Sequence, residues 1–130
     1  MIGYTTVGTN DLPRATLYYD ALFASVGYKQ LGAFGGHGTG WGTGWDKPCF
    51  AVMTPFDKQP ATVGNGNMVA LVFREPAQVD ALYAKAMELG SKDEGAPGSR
   101  GGGFYGAYFR DPDGNKLCVA CHEPQACAPE

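Results

Sequence analysis

The chain has 130 residues, a formal net charge of -3 and an isoelectric point near 5.3, with 44% hydrophobic and 18% charged residues. That composition suits a single domain over residues 1–130 with a real core, and it carries no basic footprint for a nucleic-acid partner. No apolar run approaches the ~18 residues of a membrane span, and no charged and apolar leader opens the chain, so a cytoplasmic protein is expected.

Ile2 to Gly8 (IGYTTVG) is short, β-branched and bounded by glycine, which reads as a strand. If Thr5 and Val7 face a helix, Tyr4 and Thr6 face the other way. Asn10-Asp11 offers an N-cap and Pro13 a helix start. Leu12, Ala15, Tyr19, Leu22 and Val26 step by 3, 4, 3 and 4 residues, one helical stripe that Gly27 ends. Tyr28 to Phe34 is a further strand.

Gly35 to Gly44 (GGHGTGWGTG) is the outlier in composition. Its glycines do not fit G-x-G-x-x-G, and it holds no lysine for a phosphate loop. It reads as a flexible hairpin tip leading into a strand that carries Trp41 and Trp45, both candidates to line a ligand mouth. His37 reads as a solvated loop residue. Cys49 to Thr54 is a buried strand, 55–67 a linker with two prolines, and Met68 to Phe73 another strand. Pro76 opens a second helix with Val79, Leu82, Tyr83, Ala86 and Leu89 on one stripe and Gly90 at its end. Ser91 to Gly103 reads as an irregular, glycine-rich loop.

Phe104 to Phe109 and Lys116 to Cys121 are β-prone runs around Asp111-Pro112-Asp113-Gly114-Asn115, which supplies turn residues in succession. This is a hairpin with a tightly specified turn. Alternation puts Tyr105, Ala107, Phe109, Leu117 and Val119 under a helix. Phe104, Gly106, Tyr108, Lys116 and Cys118 fall on the other, mixed face, where function is expected. Arg110 and Asp111 are read as serving the hairpin, and the polar tail from Glu123 as frayed.

Cys49, Cys118, Cys121 and Cys127 are expected as thiols in a cytosolic chain, the first three as core residues. Cys118 to His122 matches C-x-x-C-H, but a strand places Cys118 and Cys121 on opposite faces, which disfavours both haem attachment and a redox pair.

The helices from Pro13 and from Pro76 are of equal length and stand 63 residues apart. Each follows a short strand and precedes others. The expected fold is therefore α+β, with two strand–helix–strand–strand–strand modules: module 1 (2–54), a linker (55–67) and module 2 (68–122). One helix cannot cover both faces of a four-stranded sheet, so two curled sheets facing each other would enclose a cleft.

The opening IGYTTVGTNDLPRATLYYDALFASVGY, the strand and helix from Met68, and YFRDPDGNKLCV together resemble the vicinal oxygen chelate superfamily. That superfamily holds glyoxalase I, extradiol dioxygenases, fosfomycin-resistance enzymes and bleomycin-resistance proteins. The resemblance implies paired βαβββ modules curled around one small-molecule site, often in a homodimer. In metal-using members it implies histidine where Tyr4 and Met68 stand, glutamate where Cys118 stands, and in some a further ligand near Phe50. Divalent ions of that family take imidazole and carboxylate, whereas these positions offer a phenol, a thioether and a thiol.

The site expected from the sequence is thus a cleft without metal or other cofactor. It would hold a small, partly aromatic molecule among Tyr4, Phe50, Met68, Tyr108 and Cys118, with Trp41 or Trp45 beside them. The alternative is a metal-dependent lyase or dioxygenase of the same superfamily with unusual ligands. Partners are a small molecule and a second copy of the chain, with no nucleic acid and no membrane.

Overall fold

A computed structural model describes residues 1–122. It divides into two compact units, Met1–Asn67 with Pro112–Asn115, and Met68–Asp111 with the chain from Lys116 onward. Both have the same topology, the expected βαβββ.

In the first unit, β1 (Tyr4–Gly8), α1 (Leu12–Ala24), β2 (Lys29–Ala33), β3 (Gly38–Gly42) and β4 (Cys49–Met53) follow in order. The sheet runs β1-β4-β3-β2, with β1 parallel to β4 and the other pairs antiparallel. Asp11 caps α1 by accepting from the Arg14 N–H at 3.1 Å, and Gly27, at φ 85°, lies in the turn that follows the helix. The helix buries Ala15, Tyr18, Tyr19, Leu22 and Phe23. Tyr18 and Phe23 widen the stripe seen in the sequence, and Val26 lies beyond the helix end. Tyr19 meets Phe50 at 4.9 Å and Trp41 at 5.5 Å between ring centroids, and Phe23 meets Phe50 at 5.7 Å. The Trp41 indole N–H donates to Asp20 at 2.9 Å, which also accepts from Gln30 at 3.0 Å. A buried indole N–H without such a partner would be costly.

In the second unit, β5 (Val69–Phe73), α2 (Pro76–Glu88), β6 (Lys92–Ser99), β7 (Phe104–Arg110) and β8 (Lys116–His122) form the sheet β5-β8-β7-β6 beneath one helix. The Gln78 side chain turns back to accept the N–H groups of Arg74 and Glu75, both at 3.0 Å, which closes the helix start. Val79, Leu82 and Ala86 are buried from the helix, as are Ala107, Phe109, Leu117, Val119 and Cys121 from the strands. Tyr105, on the same face, donates its hydroxyl to Asp80 of α2 at 2.6 Å. The face assignment expected for the hairpin therefore holds residue by residue.

Two elements differ from the sequence reading. Residues 92–99 are a strand rather than an irregular loop, because register shifts around Gly95 absorb the broken alternation while the pairing continues to Ser99 opposite Tyr105. Trp45 is not on a strand: β3 ends at Gly42 and Trp45 lies in the turn that follows. His37 is half-buried and its Nδ1 lies 3.0 Å from the Thr54 carbonyl, so it ties the hairpin tip to the chain after β4. Cys49, Cys118 and Cys121 are thiols rather than disulfide partners. Cys127 and the tail from Glu123 lie outside the described residues. Among the described residues no helix is long and apolar enough to cross a membrane.

Candidate functional site

Each helix covers one face of its sheet and leaves the other open, and the chemistry of each unit gathers on that open face. In the first unit, Tyr4 projects from β1 and is largely exposed. Its ring meets Phe34 edge-on at 4.8 Å, and Phe34 stacks on Trp45 at 5.6 Å with 30° between planes. Trp45 reaches back from its turn over Gly40, where an added methyl would stand 2.7 Å from the indole. Gly40 pairs with Ala51, which pairs with Thr6, so a floor of small side chains lies under this run of three rings. Two of the expected site residues, Tyr4 and Trp45, are thereby joined. Phe34, which joins them, was missed by sequence reasoning, since a phenylalanine at the end of a strand carries no local sign of its face.

Phe50 and Trp41 are not part of this surface. Trp41 is opposite Phe50 in the β3–β4 register, and both rings are packed under α1 against Tyr19 and Phe23. The residues of β4 on the open face are instead Cys49, Ala51 and Met53, one position away from Phe50 on either side.

In the second unit, Tyr108 and Cys118 stand opposite each other in the β7–β8 register. Cys118 is buried, and burial pushes its thiol up from the ordinary value, while a hydrogen bond from the Tyr108 side chain and the charges of Arg100 and Lys116 pull it the other way. Arg100 lies over the Tyr108 ring at 5.4 Å from its centroid, and the Lys116 ammonium at 5.6 Å. Met68 immediately precedes β5 and is exposed, as are Ala70 and Val72 farther along that edge strand. Phe104 and His122 meet edge-on at 5.3 Å on the same open face. Sequence reasoning placed Tyr108, Cys118 and Lys116 on one face. It missed Arg100, which follows the bulged strand that alternation did not reveal.

A family model described as Glyoxalase/Bleomycin resistance protein/Dioxygenase superfamily matches residues 1–119. The chain belongs to this superfamily. A crystal structure of a glyoxalase/bleomycin resistance protein from Albidiferax ferrireducens T118 is 35% identical, covers 93% of this chain and 98% of its own, and superposes with a TM-score of 0.83. Two others are similar in fold alone. One is a glyoxalase/bleomycin resistance protein/dioxygenase family enzyme from Burkholderia phytofirmans PsJN, at 20% identity, 92% and 97% coverage and a TM-score of 0.71. The other is a lactoylglutathione lyase from Agrobacterium tumefaciens, at 21% identity, 93% and 92% coverage and a TM-score of 0.65. No curated protein matches the chain.

Metal-using members of the superfamily raise the question of whether Tyr4, Met68 and Cys118, where the resemblance implies ligands, fit an ion. Tyr4, Met68 and Cys118 bring no imidazole and no carboxylate, and the Cys118 thiol is buried and bonded to Tyr108 rather than presented. Among the described residues no group of three His, Cys, Asp or Glu side chains is arranged to hold an ion. Each of Tyr4, Met68 and Cys118 is a poorer donor than the imidazole or carboxylate that a divalent metal of the superfamily takes.

Proposed function

We propose that this chain is a small-molecule-binding member of its superfamily with a degenerate metal site, taking a partly aromatic molecule by stacking and desolvation. The observation that carries this reading is the run Tyr4–Phe34–Trp45 on the open face of the first sheet. It begins at the strand position where the resemblance puts a histidine ligand. Aromatic rings that stay accessible while packed edge-on and stacked among themselves offer a preformed surface for another ring, with little entropy left to lose on binding.

Binding by such a surface needs no ion. The reading of a metal-dependent lyase or dioxygenase requires donors that Tyr4, Met68 and Cys118 do not supply in the usual form. A soft ion such as Cu(I) would accept thioether and thiol, which is a different chemistry from the lyases and dioxygenases of the superfamily.

Elemental analysis of the purified protein beside a thermal-shift screen of divalent metals and small aromatic compounds tests the proposal. A binder of the folded state raises the melting temperature, by an amount that grows with the logarithm of its concentration above Kd. The expected result is a rise with aromatic compounds that is reduced in the Trp45→Ala variant. Stoichiometric zinc, nickel, manganese or iron, lost on Cys118→Ala, would overturn the metal-free reading.

A further inference from the structure

We propose that Arg100 and Lys116 beside Tyr108, on the second sheet, receive an anionic oxygen group, a carboxylate or a phosphate, of a small molecule. The inference goes beyond the proposed function and stands on the open face of the second sheet by itself.

Two cations lie near one ring, the Arg100 guanidinium at 5.4 Å and the Lys116 ammonium at 5.6 Å from the Tyr108 centroid. Among the described residues no carboxylate pairs with either of them. The nearby acids on β6 are engaged elsewhere, Glu94 with Arg110 at 3.1 Å and Asp93 with the Tyr83 hydroxyl at 2.9 Å. Each cation has the face of a ring where a carboxylate would otherwise stand, and the ring offsets only part of its charge. An oxyanion supplies the rest, and a guanidinium offers it a forked pair of donors.

The fold also holds Arg100 in place. The guanidinium donates to the Ala96 carbonyl at 2.8 Å, which fixes one end of the fork. It rests against Gly95 and Gly98, where an added methyl would stand 3.2 Å and 3.0 Å from its nitrogens. The glycines that interrupt the alternation of β6 are thus the ones that make room for the charge. Cys118, beneath, is kept towards its neutral thiol by burial, so it does not itself neutralise the two cations.

The test is a titration of the full-length protein followed by NMR of backbone amides and arginine side chains. The probes are benzoate, phenyl phosphate, inorganic phosphate and the neutral isostere benzamide, each on the wild type and on Arg100→Gln/Lys116→Gln. Both side chains reach solvent, so the double variant retains its fold, and its amide spectrum verifies this. The expected result is that the aromatic oxyanions move the Arg100 Nε–H and Gly98 signals and bind roughly tenfold or more tightly than they do to the double variant. Benzamide then binds both proteins equally. Benzoate and benzamide binding alike, with no effect of the double substitution, overturns the inference while leaving an aromatic-binding function intact. Phosphate captured at Arg100 with no aromatic probe bound anywhere overturns the proposed function instead, and separates benzoate-like from phosphate-like ligands at the site.

Discussion

Thr9 donates its hydroxyl to the Asp113 carboxylate at 2.6 Å, although 104 residues separate the two in sequence. The same carboxylate accepts the Asn10 N–H at 3.1 Å and the Arg14 guanidinium at 2.9 Å. Asn115, two residues on, donates its side-chain amide to the Gly8 carbonyl at 2.8 Å. The turn that reverses the β7–β8 hairpin therefore also closes the passage from β1 into α1. Its sequence is constrained twice. Gly114, at φ 93°, makes the reversal, while Asp113 and Asn115 satisfy backbone and hydroxyl groups at the helix start.

Asp113→Ala is accordingly expected to destabilise the protein by roughly 2–3 kcal/mol, because a nearly buried carboxylate with three donors is lost at once. Arg14→Ala removes only a half-exposed partner and is expected to cost about 0.5 kcal/mol or less. Urea unfolding of both variants checks the ordering. Equal costs would mean that the surface ion pair, and not the buried bonds, holds the turn.

Gly40→Ala tests the aromatic surface separately from the core. A methyl there would meet the Trp45 indole at 2.7 Å, and Trp45 is half-exposed in a turn, so the ring can move away. The expected outcome is red-shifted emission and easier acrylamide quenching of Trp45, read in a Trp41→Phe background, with small aromatic compounds bound more weakly. Unchanged fluorescence would show that the indole does not lie on Gly40 in solution.

Much of this was legible in the sequence, for physical reasons that differ from element to element. The hairpin faces followed from strict alternation around a turn of fixed chemistry, and the helices followed from stripes with proline at one end and glycine at the other. Trp41 and Trp45 show where that logic stops. Both are odd-numbered, so a continuous strand would put them on one face. β3 ends between them, Trp41 goes under the helix with Asp20, and Trp45 folds back over the opposite side. Phe50 is a case of register: its neighbours Cys49 and Ala51 hold the open face. Arg100 was hidden because bulges at Gly95 and Gly98 erase the period of two.

Assembly gives a prediction of a different kind. The second sheet leaves Met68, just before its edge strand, and Val72, on that strand, exposed, and the superfamily resemblance implies a second copy of the chain. Light scattering at high micromolar concentration is expected to give twice the 13.7 kDa of one chain. A mass of one chain under those conditions contradicts the dimer.

Cys118 supplies the last prediction, a dependence of stability on alkaline pH. Burial raises its thiol above the ordinary value of 9.0, against the smaller opposing effects of Tyr108, Arg100 and Lys116. The folded chain therefore keeps this proton at a pH where the unfolded chain has begun to release it. The resulting stabilisation is fully present below the ordinary thiol value and is lost as pH rises through the folded one. Tyr83, raised from 10.0 mainly by burial and also by its bond to Asp93, adds a loss of the same sign at higher pH. Urea unfolding between pH 7 and pH 10 on the wild type and Cys118→Ala separates the two, because Tyr83 is common to both proteins. The wild type is expected to lose stability more steeply above pH 8.5 or so than the variant. Parallel curves would show that the thiol titrates alike in the folded and unfolded chain, and that Cys118 is not enclosed in the way its place beneath Tyr108 requires.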